Sequence, residues 1–155
     1  HVLVVGDGPS RVEMIGNFAA GAVSDRVHFA GVLRNAKLAD AYAAMDVFAF
    51  SSFSETQGLV LVEAMMAGVP VVALDAPGVR EVVVDGQNGR LLAGDADVEA
   101  LAAALGEVAD AAPETRQVMR KAARDTADLY GIDKTVGRTR EFYAQTLGRK
   151  SMAVP

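Results

Sequence analysis

The chain has 155 residues, 51% of them hydrophobic, and a formal net charge of -5. That suffices for a domain with a sizeable core and excludes a disordered chain, while the acidic balance argues against a general nucleic-acid binder, which needs a basic surface. There is no cysteine, which excludes disulfides, cysteine-ligated zinc and thiol catalysis.

In chain order, His1-Val2-Leu3-Val4-Val5 reads as a strand ending at Gly6-Asp7-Gly8-Pro9, and Ser10 can cap a helix running to about Ala20. Val27–Phe29 is a short strand, Lys37–Met45 has helical spacing, and Val47–Phe50 is a strand followed by the polar stretch Ser51–Gly58. A helix is expected from Leu59 to Ala67, stopped by Gly68 with Pro70 beyond, then a strand at Val71–Leu74. Val79–Val84 reads as a short helix, Asn88-Gly89 as a tight turn and Arg90–Leu92 as a strand. Three helices follow, at Ala96–Ala109, Glu114–Tyr130 and Lys134–Leu147, and residues 151–155 are expected to fray. No apolar run approaches the roughly 18–20 residues that span a bilayer, and no signal peptide is visible. A chain that starts inside a strand without an initiator Met reads as a piece of a longer protein.

Short, continuously apolar strands alternating with helices predict an α/β fold, a doubly wound parallel sheet with Rossmann-like topology. Ligands in such sheets sit at the carboxyl ends of the strands, where the loops Gly6–Ser10, Gly31–Ala36 and Ser51–Gly58 are expected to gather. Gly6-Asp7-Gly8 invites comparison with a dinucleotide fingerprint, but the third glycine position is Arg11, so a tight strand-to-helix turn is the better reading.

Two glutamates carry the site argument. Glu63 is flanked in sequence by Leu59-Val60-Leu61-Val62 and Ala64-Met65-Met66, and its helical neighbours Leu59, Val60, Met66 and Ala67 are all apolar. A buried, unpaired carboxylate is costly, so the reading is either a solvent-facing acid or one that accepts hydrogen bonds from paired ligand hydroxyls. Glu55 lies in the loop feeding the same helix. The amides of Thr56, Gln57, Gly58 and Leu59 fall at the helix N-terminus, where free N–H groups attract phosphate or sugar oxygens. A polyhydroxylated, phosphorylated molecule such as a nucleotide-sugar suits that set.

The segment Glu55-Thr-Gln-Gly-Leu-Val-Leu-Val-Glu63, with Ala64-Met65-Met66-Ala67-Gly68-Val69-Pro70-Val71-Val72, resembles the signature of retaining GT-B glycosyltransferases of family 4, the glycosyltransferase group 1 family. Val4–Pro9, Val27–Gly31, Asp46–Ser52, Gly78–Glu81 and Asp85–Leu92 resemble further family segments in the same order. The resemblance implies the C-terminal, donor-binding half (residues 1–150) of a hexosyltransferase using a nucleoside diphosphate sugar, UDP-glucose first and GDP-mannose second. It implies Glu55 as the catalytic-site carboxylate on the donor sugar, helped by the backbone of Thr56, Gln57 and Gly58. Glu63 would hold the ribose, Leu59 and Val60 would lie near the phosphates, Val32, Leu33 and Arg34 would frame the base, and Gly6 and Gly8 would border the donor.

The resemblance also implies no metal and no cofactor beyond that donor substrate. An Arg/Lys pair for the diphosphate and an acceptor-binding domain would lie upstream of His1, so this chain alone is expected to be inactive. The acceptor would be a glycan or a lipid, the setting cytoplasmic, at the inner face of the membrane if a lipid. The alternatives are a non-catalytic sugar-nucleotide-binding module or a GT-B sugar-nucleotide epimerase or phosphorylase. Elsewhere the readings are structural: His28 as a strand residue, Glu81 as a cap or rim residue, Ser51, Ser52 and Ser54 without a histidine partner, and the Arg116–Arg124 run with Lys121 as a solvated helix face rather than a membrane-surface patch.

Overall fold

A computed structural model describes residues 1–21 and 23–151, the last four of these as backbone. The expectation for the tail therefore lies, from residue 152, outside the described residues. The chain divides into two compact units, His1–Met45 and Asp46–Pro155, each taken in turn.

The first unit contains β1 (Val2–Val5), α1 (Arg11–Ala19), a 3₁₀ turn at Ser24–Arg26, β2 (Val27–Gly31) and α2 (Ala36–Ala43). β1 and β2 pair in parallel from Val2↔Val27 to Val5↔Gly31, with a register shift between Val4 and Val5. The irregularity falls where the chain leaves the strand for the glycine loop, and Gly6 N–H donates to the Gly31 carbonyl at 2.8 Å. Ser10 stands at the N-cap of α1 but makes no side-chain cap bond. His28 is an exposed strand residue stacked on His1, with Nδ1 of His1 3.0 Å from its Nε2.

The second unit holds β3 (Phe48–Phe50), α3 (Leu59–Met66), β4 (Val71–Leu74), α4 (Pro77–Arg80), β5 (Gly89–Leu92), α5 (Val98–Ala109), α6 (Pro113–Asp128) and α7 (Ile132–Ser151). Its strands pair in parallel in the order β3-β4-β5, with Phe48↔Val71 and Val71↔Gly89 setting the register. The α/β class with parallel strands and helical crossovers is as the alternation of apolar runs predicts. β4 is central and every one of its residues is buried, which explains its unbroken Val-Val-Ala-Leu sequence. Val72 anchors a cluster with Ala104 and Val108 of α5 and Met119 of α6, and Leu61 and Met65 of α3 are fully buried. Each of the buried Val, Leu and Met side chains contributes about 1.5–3 kcal/mol of hydrophobic stabilisation.

Two local expectations are corrected. The short helix begins earlier, at Pro77, because proline at the first helical position already has helical φ and lacks only an N–H the helix would leave orphaned. Asn88 does end a tight turn, at residues 86–88, but Gly89 already belongs to β5, which runs parallel to β4, so the turn stops one residue short of the expected Asn88-Gly89 pair. Asn88 is also the buried polar residue of the core, 1% exposed. Its Oδ1 accepts from Val84 N–H at 2.8 Å, and its Nδ2 donates to the Val82 carbonyl and the Thr126 hydroxyl. One amide side chain thus ties the α4–β5 connection to α6. Asn88→Ala leaves a backbone donor and acceptor unsatisfied and should cost about 2–4 kcal/mol. Urea denaturation should show the loss as a lower midpoint at unchanged slope.

Candidate functional site

The loop before α3 is organised by its own acid. Oε1 of Glu55 accepts three backbone hydrogen bonds, from Thr56 N–H at 3.0 Å, Gln57 N–H at 2.9 Å and Gly58 N–H at 2.8 Å. Gly58, the N-cap of α3, has φ +67°, a left-handed conformation that glycine adopts without strain. A β-carbon at Gly58 would meet the Gly78 carbonyl oxygen at 2.7 Å, and one at Gly78 would come within 2.6–3.0 Å of the backbone of Glu55, Thr56 and Gln57. Gly78 N–H also donates to the Glu55 carbonyl at 3.2 Å. The Glu55–Gly58 loop therefore packs backbone against backbone on α4, with no side chain between.

This arrangement revises one part of the expected site. The amides of Thr56, Gln57 and Gly58 are not an open fan, because they are held by the carboxylate of Glu55. Among the described residues, the amides of Leu59 and Val60 have no acceptor within the chain, so these two remain to meet an anion at the helix N-terminus. The second oxygen of Glu55 has no partner among the described residues either.

The hydrogen bond from Gln57 N–H, then that from Gly58, hold the Glu55 carboxyl below its ordinary value of 4.5, with Thr56 adding a smaller push and desolvation opposing. Glu55 is thus ionised throughout the neutral range. A carboxylate this readily ionised is a poor proton acceptor near pH 7, which suits an anion that binds hydroxyls better than a general base.

Glu63 is exposed, which fits both readings offered for it, a solvent-facing acid and an acceptor for ligand hydroxyls. α3 buries Leu61, Val62, Ala64 and Met65, and turns Leu59, Glu63 and Met66 outward. Spacing of four and three residues aligns these three along one stripe. The carboxylate is therefore flanked by exposed Leu59 and Met66, an acid set in an apolar surface strip. Glu81, read as a cap or rim residue, is the exposed C-cap of α4, and its carbonyl accepts from the Tyr130 hydroxyl.

In the first unit, Gly6 and Gly8 line a cleft of about 270 Å³ with Asp7, Arg11 and Phe29. A β-carbon on either glycine would meet open space, so backbone is presented directly to the cleft. Gly8 N–H is held by its neighbour Asp7. The guanidinium of Arg11 lies 6.0 Å from the centre of the Phe29 ring and 4.0 Å from Asp7. Beyond β2, Val32 and Arg34 are exposed and Leu33 is half-buried, just ahead of Asn35 with φ +53°. Among the described residues no group of three His, Cys, Asp or Glu side chains could hold a metal ion, and no helix is long and apolar enough to cross a membrane.

Sequence reasoning missed Gly78 as a positioning residue. It stood in the Gly78-Val79-Arg80-Glu81 segment, but only the fold shows that this glycine supports the Glu55 loop from behind.

A Rossmann-like α/β domain with a carboxylate anchored at a helix N-terminus, and a second acid a turn further along, is the class that fold and site define. The description "Glycosyl transferases group 1" matches residues 1–111, and the chain belongs to that family. It is 36% identical over 132 residues to a sulfoquinovosyl transferase of Arabidopsis thaliana, covering 84% of the chain and 25% of the relative. It is 37% identical over 143 residues to a D-inositol 3-phosphate glycosyltransferase of Streptomyces griseus, covering 92% and 30%. Among solved structures, Anabaena Alr3699/HepE in complex with UDP-glucose superposes with a TM-score of 0.71 at 28% identity, covering 95% of this chain and 40% of that one. The chain thus spans less than a third of these two relatives.

Two outcomes follow from the loop geometry. Gly78→Ala should push the Glu55 loop off α4, costing about 1–3 kcal/mol of stability, and amide chemical shifts of Thr56, Gln57 and Gly58 should move more than those of α5. Because the folded pKa of Glu55 is lowered, the capping contribution is complete above its ordinary value of 4.5 and is lost as pH falls through the lower folded value. NMR titration should show those three amides unchanged from neutral pH down to about 5, then shifting together below it.

Proposed function

We propose that this chain is the donor-binding domain of a retaining glycosyltransferase. The parent transfers a hexose from a nucleoside diphosphate sugar to a glycan or lipid acceptor, in the cytoplasm and, for a lipid, at the inner face of the membrane. The observation that carries the reading is the three-amide grip on Glu55 at the start of α3. It leaves one carboxylate oxygen to accept a sugar hydroxyl and two helix amides, of Leu59 and Val60, to meet phosphate. Glu63, exposed on the same helix, suits the paired hydroxyls of a ribose, with Leu59 and Met66 against its apolar edge. Val32, Leu33 and Arg34 are the candidates to frame the base, and the backbone at Gly6 and Gly8 to border the donor. Family membership and the likeness to Anabaena Alr3699/HepE in complex with UDP-glucose support a UDP-sugar as first choice.

In this reading the bond from the anomeric carbon to the diphosphate oxygen breaks, and the acceptor oxygen bonds that carbon from the same face. The acceptor's proton passes to the departing diphosphate. Glu55 does not take that proton. Its ionised carboxylate orients the sugar by hydrogen bonding, and the helix amides offset charge developing on the leaving group.

Calorimetric titration of the chain with UDP, GDP and ADP should give weak binding, on the order of -4 kcal/mol, with one base preferred. Glu63→Ala should abolish the preference for ribonucleotide over deoxyribonucleotide; equal behaviour of wild type and variant removes the ribose role from Glu63. With UDP-glucose in place of UDP, Glu55→Gln, which keeps an acceptor oxygen for the loop amides but loses the charge, should lose much of the extra affinity contributed by the sugar while leaving UDP binding within about 2-fold.

A further inference from the structure

The family match ends at residue 111, before α6, whose stretch from Arg116 to Arg124 gathers four cations without an acid on a chain that is acidic overall. Met119, Ala123 and Ala127 form its buried stripe. Along one flank run Arg116, Arg120 and Arg124, with Lys121 beside them. Together with Asp46 and Val118 these four cations line an open groove of about 770 Å³. Arg116 and Arg120 are half-buried and line the groove. Lys121 pairs with Asp125, whereas Arg116, Arg120 and Arg124 make no ion pair among the described residues.

Against the sequence expectation of a merely solvated helix face, we propose that this cationic flank docks the domain on an anionic phospholipid surface. Three observations select that occupant. The cations come from a single helix and stand in a row, successive arginines about 6 Å apart along the axis. Such a row meets an array of separate phosphates, whereas one compact polyphosphate needs donors converging from several elements. The one lining residue from outside α6, among the described residues, is Asp46, whose carboxylate repels an anion seated deep in the groove. Finally, Val118 is 68% exposed beside the arginines, an apolar contact for the interfacial region that a soluble anion would not use. Guanidinium forks suit lipid phosphates, which they can bind through paired hydrogen bonds. The contact is peripheral and electrostatic, and so weakens with salt.

Arg124 has a second duty. Its guanidinium lies over Gly68 at the C-terminal end of α3, where a β-carbon would come within 2.6 Å of it. The test therefore spares Arg124 and changes Arg116 and Arg120. The full chain is co-sedimented with vesicles of phosphatidylcholine alone and of phosphatidylcholine with about 30% phosphatidylglycerol, at roughly 50 and 300 mM salt. Binding is expected only to the anionic vesicles and only at low salt. The pair Arg116→Gln/Arg120→Gln should lower partitioning about 25-fold, at about 5-fold per cation, while Arg116→Lys/Arg120→Lys retains most of it. Thermal melting of the Gln pair, unchanged from wild type, assigns the loss to charge.

Equal binding to both vesicle types, binding that survives high salt, or a Gln pair that binds like wild type overturns the proposal. So does tight calorimetric binding of tripolyphosphate or of an RNA oligonucleotide without vesicle binding. The proposal deepens the suggested membrane setting of the parent but does not use the donor site. The nucleotide titration can fail while vesicle binding succeeds, and the reverse, so the two readings fall separately.

Discussion

One carboxylate oxygen holding three backbone amides is the constraint on which the candidate site depends. Without it, the amides of Thr56, Gln57 and Gly58 that lead into α3 would need water or ligand to satisfy them. With it, the turn from Thr56 to Gly58 has one shape, and Glu55 is anchored and ionised at the place where a helix dipole favours negative charge. The same bonds decide what is left over. They consume three donors, beyond which only those of Leu59 and Val60 at the helix start stay open, and they engage one oxygen of Glu55 and leave the other. The chemistry available to a ligand is the remainder of that internal arrangement.

The loop keeps its shape because its rear surface is backbone. Gly58 and Gly78 approach too closely for either to carry a side chain, and α4, which presents Gly78, is seated by the fully buried Val79. Behind α4 the connection to β5 is held by Asn88, the buried polar residue that reaches Thr126 on α6. Rigidity thus passes from the hydrophobic cluster around β4 to the loop through close contacts and satisfied hydrogen bonds. A functional carboxylate on a loop gains precision from such support.

Charge is distributed unevenly over this framework. The strip of α3 that faces outward combines one acid with two large apolar side chains, while a flank of α6 gathers guanidiniums on a chain that is acidic overall. Both patterns follow from helices that use one stripe for the core and leave the rest free to vary. α3 buries four residues of eight, and its outward face is correspondingly narrow. α6 buries only a line of Met119, Ala123 and Ala127, which leaves most of its surface for charge.

Much of this was legible in the sequence. The unbroken Val-Val-Ala-Leu run declared a strand buried on both faces, Gly68 with Pro70 marked the end of α3, and the spacing of Glu55 and Glu63 singled out the segment that matters. These features are local, governed by the backbone preferences of a few adjacent residues. What the tertiary structure alone decided is non-local. Helical periodicity listed the apolar neighbours of Glu63 but could not say which of them lie in the core, because that depends on where β3, β4 and α6 pack. A hydrogen bond from a loop amide to a side chain three residues away competes with ligand and water, so whether the amides near Glu55 are open or held is set by the turn's final shape. The contact of Gly78 with that loop joins residues some twenty positions apart, and no local preference encodes it.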